Sequence, residues 1–254
     1  MLQSAASRVR RYRPKDASHR CGRLRDAQAA EAPGLLIGGG LSDLTFVVAG
    51  SGATLHSEAL DRTEGTMGKL IYAANISLDG LLEDESGSFD WSVPDEEVHA
   101  FWNEHERRIG TSLYGRGMYE TMRVWERDDW LTDEPVVVRE YASIWRDTDK
   151  IVYSSSLDDV STARTTIVRT FEPEAVQQLK EGSGLDLSIG GAGIAAEAFR
   201  HGLVDECVLL LCPVLVGGGK PALPRGVRLN LELLDQRRFA NGVIYVRHAV
   251  RNPG

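Results

Sequence analysis

At 254 residues, 42% of them apolar, the chain can bury one ample core and needs neither disulfides nor a metal to hold it. A net charge of -8 and an isoelectric point near 5.3 exclude a general affinity for nucleic acid or anionic membrane, which requires a basic surface, and favour a small-molecule partner. Cys21, Cys207 and Cys212 form no CxxC pair, which fits a reduced, cytoplasmic thiol inventory; no uninterrupted apolar run reaches the roughly 18 residues that a bilayer span needs.

Residues 1–25 hold eight Lys or Arg against one acid, Asp16, so the rest of the chain carries about -15. The basic leader and the following "LLIGGGLSDLTFVVAG" invite three readings: a signal peptide, a functional basic tail, or a start assigned too early. A signal peptide fits poorly, because the basic region is long and Asp43 interrupts the apolar run. Residues 1–66 are therefore read as a disordered leader or an upstream mis-start, with Met67 opening a domain over 67–254.

From Lys69 onward strands and helices alternate. "KLIYAANI" predicts a buried first strand and "SLDG" the turn leaving it. In "WSVPDEEVHAFWNEHERRI", Val98, Phe101, Trp102, His105 and Ile109 recur at helical spacing, with Pro94 in the first turn and Asp95, Glu96 and Glu97 at the positive end. "GTSLYG" is a strand, "RGMYETM" a helix, "DEPVVVREYASIW" a helix and "DKIVYSSS" a strand. "EPEAVQQLKE" is a helix, "LDLSI" a strand, "AGIAAEAFRHG" a helix and "VDECVLLLCPVLV" a long strand. Two last strands, "LNLELLDQRRFA" and "GVIYVRHAV", meet at Asn241-Gly242, a hairpin signal. The alternation predicts an α/β layer fold with a largely parallel sheet and an antiparallel edge.

Two strand-to-helix junctions are rich in glycine: "LYGRGMYETM" and "LSIGGAGIAAEAF". Glycines there let a phosphate approach backbone amides and a positive helix end, or merely let a helix pack closely on its strand. Gly191-Ala-Gly193-Ile-Ala-Ala196 satisfies a loose G-x-G-x-x-A, but it arrives near the end of the domain, whereas a Rossmann fold has it in the first unit. His99 and His105, six residues apart, lie on different helix faces, so no metal site is expected. "VGGGKP", Gly217 to Pro221, is either a border of the substrate cavity or a plain sharp turn.

"SLYGRGMYETM" resembles the Gly-Arg-x-Thr-x-Glu segment of dihydrofolate reductases, "DWSVPDEEVHAF" their Trp-x-Leu-Pro-x-Asp helix entry, "KIVYSSS" their strand with paired serines and "LSIGGAG" their Gly-Gly loop. "SLDGLLEDESGSFDW", "GLVDE" and "PVLVGGGKP" resemble the reductase domain of the bifunctional riboflavin-biosynthesis enzyme. From Lys69 to Val250 the chain is thus identified as similar to the dihydrofolate reductase-like superfamily, nearest the riboflavin-biosynthesis reductases. The resemblance implies a dihydrofolate reductase-like three-layer sandwich, with a mixed, mostly parallel sheet and a C-terminal antiparallel hairpin. It also implies NADPH as cofactor, a pterin- or pyrimidine-like substrate and a homodimer.

By resemblance Gly115 and Arg116 meet the cofactor, Arg116 pairing with the adenosine 2′-phosphate, which a planar guanidinium suits. Ser154 and Ser155 serve the same end, and Gly190, Gly191, Ala192 and Gly193 pass under the diphosphate, with a non-proline cis bond as in the family. Three acids are candidates to protonate the acceptor: Asp79, Asp95 and Glu96. Asp95 also reads as half of a capping box begun by Ser92, and Asp79 as an ordinary Asp-Gly turn. One of the three is expected to be partly buried, with a raised pKa. The chain departs from its relatives at Met118, usually threonine in dihydrofolate reductases, and at Asp147-Thr148-Asp149, where those enzymes place an arginine for the folate carboxylate. "RVWERDDW" stands where the riboflavin enzymes have an Asn-Pro and basic segment. A binding protein that keeps the cleft but has no turnover is the reading from another class.

If residues 1–66 bury no face of the domain, a chain beginning at Met67 keeps its stability. A loss above about 1 to 2 kcal/mol in a melting comparison with the full chain would refute this.

Overall fold

The structure, a computed structural model, describes residues 67–251, so the expectation for 1–66 lies outside the described residues. The strands are β1 (Leu70–Ser77), β2 (Leu81–Asp84), β3 (Ile109–Gly115), β4 (Asp149–Tyr153), β5 (Thr165–Val168), β6 (Asp186–Gly190), β7 (Glu206–Cys212), β8 (Gly219–Pro221), β9 (Asn230–Arg238) and β10 (Ile244–Arg251). The helices are α1 (Glu96–Glu106), α2 (Arg116–Met122), α3 (Val136–Asp147), α4 (Pro173–Gly182) and α5 (Ala192–Arg200). Short 3-10 turns occupy Asp90–Ser92 and Arg123–Glu126. Eight strands form one sheet in the order β5-β4-β3-β6-β1-β7-β10-β9, parallel from β5 to β7 and antiparallel at β7-β10 and β10-β9; β2 and β8 form a separate antiparallel ribbon.

Alternation along β1 decides which layer each side chain joins. Leu70 and Tyr72 pack with Leu113, Ile189 and the α5 residues Ile194, Ala198 and Phe199, while Ile71 packs on the other face with Val98 of α1, Val208 and Phe239. A third cluster sets Tyr114 and Val152 against Tyr119, Trp125, Val138 and Trp145, from α2, the turn after it and α3. Helices thus cover both faces, which is the expected three-layer sandwich. Cys207 and Cys212 are free and buried, and burial pushes their thiols up to about 12 and about 11, as inert core groups.

Several boundaries differ from expectation for local reasons. The stretch 204–216 is strand only to Cys212, because Pro213 has no N–H for the ladder. Ile109 belongs to β3 and not to the preceding helix. Pro94 lies just before α1: Asp95 is the N-cap, its Oδ1 accepting from the Val98 amide at 3.0 Å, so no capping box with Ser92 forms. Ser92 instead donates through its hydroxyl to the Phe89 carbonyl at 2.8 Å. At the last hairpin Gly242 has φ +88° and the Asn241 side chain accepts from the Val243 amide at 3.0 Å, as an Asn-Gly turn requires. Among the described residues no helix is long and apolar enough to cross a membrane.

His105, on the buried side of α1, stacks edge-on against Trp102 and has an Nε2 without a hydrogen-bond partner among the described residues. Burial, aided by Arg108 and Arg247, lowers its pKa from 6.5 to about 4. The folded state therefore resists a proton that the unfolded chain takes up. This contribution is complete above pH 6.5 and is lost as the pH falls towards 4. In denaturant titrations at pH 7 and pH 4, His105→Gln is expected to lose on the order of 2 to 3 kcal/mol less stability across that interval than the wild type.

Candidate active site

In a parallel sheet of this kind, ligands gather at the carboxyl ends of the strands. Here β3 and β6 are neighbours, Tyr114 pairs with Gly190, and each strand runs straight into a helix through glycine. Gly191 has φ +104°, and an added Cβ would come within 3.5 Å of the Gly115 amide nitrogen. At Gly190 an added Cβ would press on Met118 Cγ at 3.0 Å and on the Tyr114 ring at 3.2 Å. All described peptide bonds are trans, so the expected cis bond is not present, and the positive φ of Gly191 makes the turn instead.

These turns form one side of a cleft of about 550 Å³. Gly115, Arg116, Gly190, Gly191, Ala192 and Gly193 all line it. Phe89, Val93, Met122, Val124 and Trp125 give it an apolar wall. Asn75, also in the lining, is held at both amide atoms: it donates to the Ser92 carbonyl at 3.2 Å and accepts from the Trp102 indole at 3.1 Å. Arg116 is oriented before any ligand arrives, with Nε on Glu120 at 2.7 Å and Nη1 on the Ser156 hydroxyl at 2.8 Å.

The serines are placed differently from the expectation. Ser154 is buried, and its hydroxyl accepts from the amides of Ser156 and Leu157, which shapes the turn after β4. Ser155 is exposed, and it is Ser156 that reaches Arg116. A run of three serines carries no sign in sequence of which one the turn will present.

The three acids are not brought into the cleft. Asp79 is exposed and accepts from the amides of Val216 at 3.1 and 3.2 Å and Gly217 at 2.7 Å, clamping the loop before β8 onto the turn after β1. The Ser77 hydroxyl and then those two amides hold its carboxyl at about 2, so Asp79 is not the one acid of the three expected to have a raised pKa. Asp95 caps α1 and Glu96 sits exposed in its first turn. Capping and clamping use the same short acidic side chains as catalysis, and spacing alone does not separate them. The carboxylate that does line the cleft is Glu83 of β2, ion-paired to Lys220 of β8 at 2.5 Å. Lys220 lies in the "VGGGKP" stretch and Glu83 in "SLDGLLEDESGSFDW", but a four-residue strand shows no usable period to single Glu83 out.

A second depression, of about 560 Å³, lies at the opposite ends of the strands beside Ile109, Thr111 and Asp149 and does not include the glycine turns. Asp149 pairs there with Arg164 at 2.8 Å, and the Thr148 hydroxyl donates to the Ile144 carbonyl at the end of α3.

The sheet order, the helix layers and the glycine-lined cleft define a dihydrofolate reductase-like protein. The chain belongs to the RibD C-terminal domain family, whose model matches residues 68–245. Two Bacillus subtilis proteins, YyaP and YwjB, both uncharacterized, are each 27% identical to it, over 180 and 183 residues; each alignment covers 70% of this chain, with 93% of YyaP and 97% of YwjB. Among solved structures, one described as a riboflavin biosynthesis protein from Shewanella sp. PV-4 matches with TM-score 0.58 and 19% identity, covering 73% of this chain and all of that one. The Thermotoga maritima diaminohydroxyphosphoribosylaminopyrimidine deaminase/5-amino-6-(5-phosphoribosylamino)uracil reductase matches with TM-score 0.52 and 15% identity, over 72% of this chain and 57% of that one.

If Asp79 is a clamp, its removal loosens one loop and leaves the sheet intact. In hydrogen exchange, Asp79→Ala is expected to reduce protection of the Val216 and Gly217 amides about ten-fold or more, with the Leu113 amide of β3 unchanged. The depressed pKa sets the sign for the wild type: the clamp is whole above pH 3.8 and is lost as the pH falls towards 2.

Proposed function

We propose that this chain is an NADPH-dependent reductase that passes a hydride to a small heterocyclic molecule of the pterin or pyrimidine kind. The observation that carries the reading is the meeting of two glycine turns and Arg116 at one side of a cleft that also has an apolar wall. Open space at the glycine turns supports the reading: an added Cβ at Gly117 or Gly193, both in the lining, would meet nothing within 4 Å. The first-turn amides of α5 have no partner within the helix and suit a diphosphate.

When bound, the nicotinamide supplies the hydride. The chain's own part is to hold and orient. Arg116, steadied by Ser156 and Glu120, receives the 2′-phosphate, and Ser154 shapes the turn that presents Ser156 beside the exposed Ser155. Phe89, Val93, Met122 and Trp125 press the acceptor's flat ring into place and keep water from its face. Asp79, Asp95 and Glu96 lie outside the lining and Glu83 is paired with Lys220, so in this reading the acceptor's proton comes from water at the open side of the cleft.

A narrower reading is 5-amino-6-(5-phosphoribosylamino)uracil reduction, supported by the family match and by the activity named for the Thermotoga maritima protein. NADPH consumption across a panel of pyrimidines and pterins separates these readings from a binding protein without turnover. A homodimer belongs to the same proposal, and sedimentation equilibrium tests it.

Arg116→Ala is expected to weaken NADPH binding by about 1.5 to 3 kcal/mol, the range of a charge-assisted hydrogen bond, and NADH binding far less. Equal weakening of both in calorimetry would count against the role given to Arg116.

A further inference from the structure

The β2-β8 ribbon brings a second cation into the cleft. Glu83 and Lys220 are register partners across it, joined at 2.5 Å, and both line the cavity that holds Gly190 to Gly193. The ribbon's underside fixes where it lies. Leu82 and Ala222 pack into the cluster that contains Ile194, Ala195 and Phe199 of α5, and the Tyr72 hydroxyl donates to the Ala222 carbonyl at 2.7 Å. The ribbon therefore sits on the α5 side of the sheet, alongside the helix that the glycine turn opens. At Gly219 an added Cβ would fall 2.0 Å from the Glu83 carbonyl oxygen, so the two strands are pressed together and Lys220 is the first side chain beyond that contact.

We propose that Lys220 binds the diphosphate of the dinucleotide over Gly190 to Gly193, and that Glu83 holds the ammonium ready while the cleft is empty. The inference rests on the dinucleotide reading above. A diphosphate bridge is doubly negative, whereas a helix N-terminus answers with only about half a positive charge. Arg116 stands at the other glycine turn and already has Glu120 and Ser156 as partners. A full cation in the same lining as the α5 turn supplies what is missing there. The Lys220 side chain is 51% exposed and that of Glu83 29%, so their pairing is screened by water and weak. Exchanging one anion for a more highly charged one then costs little. A compact charge on a flexible stem suits such a swing better than a planar guanidinium would. If the pair served only to brace the ribbon, ligand affinity would not depend on it.

Calorimetry on the full chain tests this with NADPH, NADH, adenosine 2′-monophosphate and inorganic diphosphate as probes, after melting curves have shown each variant folded. Lys220→Met is expected to weaken NADPH and NADH alike by about ten-fold, leaving adenosine 2′-monophosphate within about two-fold. Glu83→Gln is expected to tighten NADPH a few-fold, because the ammonium no longer has to leave a carboxylate. Lys220→Arg keeps the charge and is expected to stay within a few-fold of wild type, which separates loss of charge from distortion of the ribbon. If both dinucleotides bind Lys220→Met as they bind wild type, the proposal is overturned and the reductase reading stands. If wild type binds inorganic diphosphate through Lys220 but neither dinucleotide, the anion site stands and the cofactor reading falls. If wild type binds none of the probes, both fall.

Discussion

Tyr114 and Gly190 are opposite one another across β3 and β6, and one residue later both chains turn into helices with no side chain at the junction. That close approach of two backbones is what the cleft depends on. Met118 packs where a Cβ on Gly190 would go, and Ile194 Cγ2 lies 3.4 Å from where one on Gly115 would be. At these turns the lining of the cleft is therefore main chain. Arg116 is useful in this place because β3 delivers it there. The same residue one position along a longer loop would have no fixed bearing on α5.

The β2-β8 ribbon and the loop before β8 are held by different means. The loop before β8 is fixed by a carboxylate accepting two backbone amides, and the ribbon by a cross-strand ion pair and the close contact at Gly219. These polar contacts are exposed and individually weaker than the burial that holds β1 between β6 and β7, and the ribbon adds to them the packing of Leu82 and Ala222 against the α5 cluster. Local opening of the ribbon should thus cost less than opening of the sheet. The sheet has its own polar tie on the far side: Glu206, buried, accepts from Lys69 at 2.7 Å and from Arg247 at 2.7 and 3.0 Å, joining β7 to β10 and to the start of β1.

The parallel core was readable in the sequence because its strands are buried on both faces and appear as short apolar runs, as in "KLIYAANI" and "LDLSI", between helices with a clear apolar stripe. The elements that escaped are β2, β5 and β8, of three or four residues, too short to show a period. The site divides in the same way. The glycines at the strand ends were legible as part of a cleft, since φ +104° at Gly191 and the contacts at Gly190 leave no room for a side chain, and Arg116 follows Gly115 into the same lining. The acids were not, because Asp79 and Asp95 satisfy backbone amides in the structure, and a short acid before a helix or in an Asp-Gly turn looks the same whichever task it performs. Ser156 was masked by its neighbours, and Glu83 and Lys220 are opposed by a strand register that becomes visible only after folding.

The two ends of the cleft also differ in how freely they can change. Where backbone makes the floor, substitution meets φ +104° at Gly191 or a collision at Gly190, so variation there alters the fold along with the site. The apolar wall is made by side chains of Phe89, Val93, Met122 and Trp125, carried on the loop before α1, on α2 and on the turn after it. They can be exchanged for others of similar volume without moving β3 or β6. A relative can therefore keep the sheet and the glycine turns while its apolar wall differs. Family membership on this fold therefore constrains the glycine turns more tightly than it constrains the apolar wall.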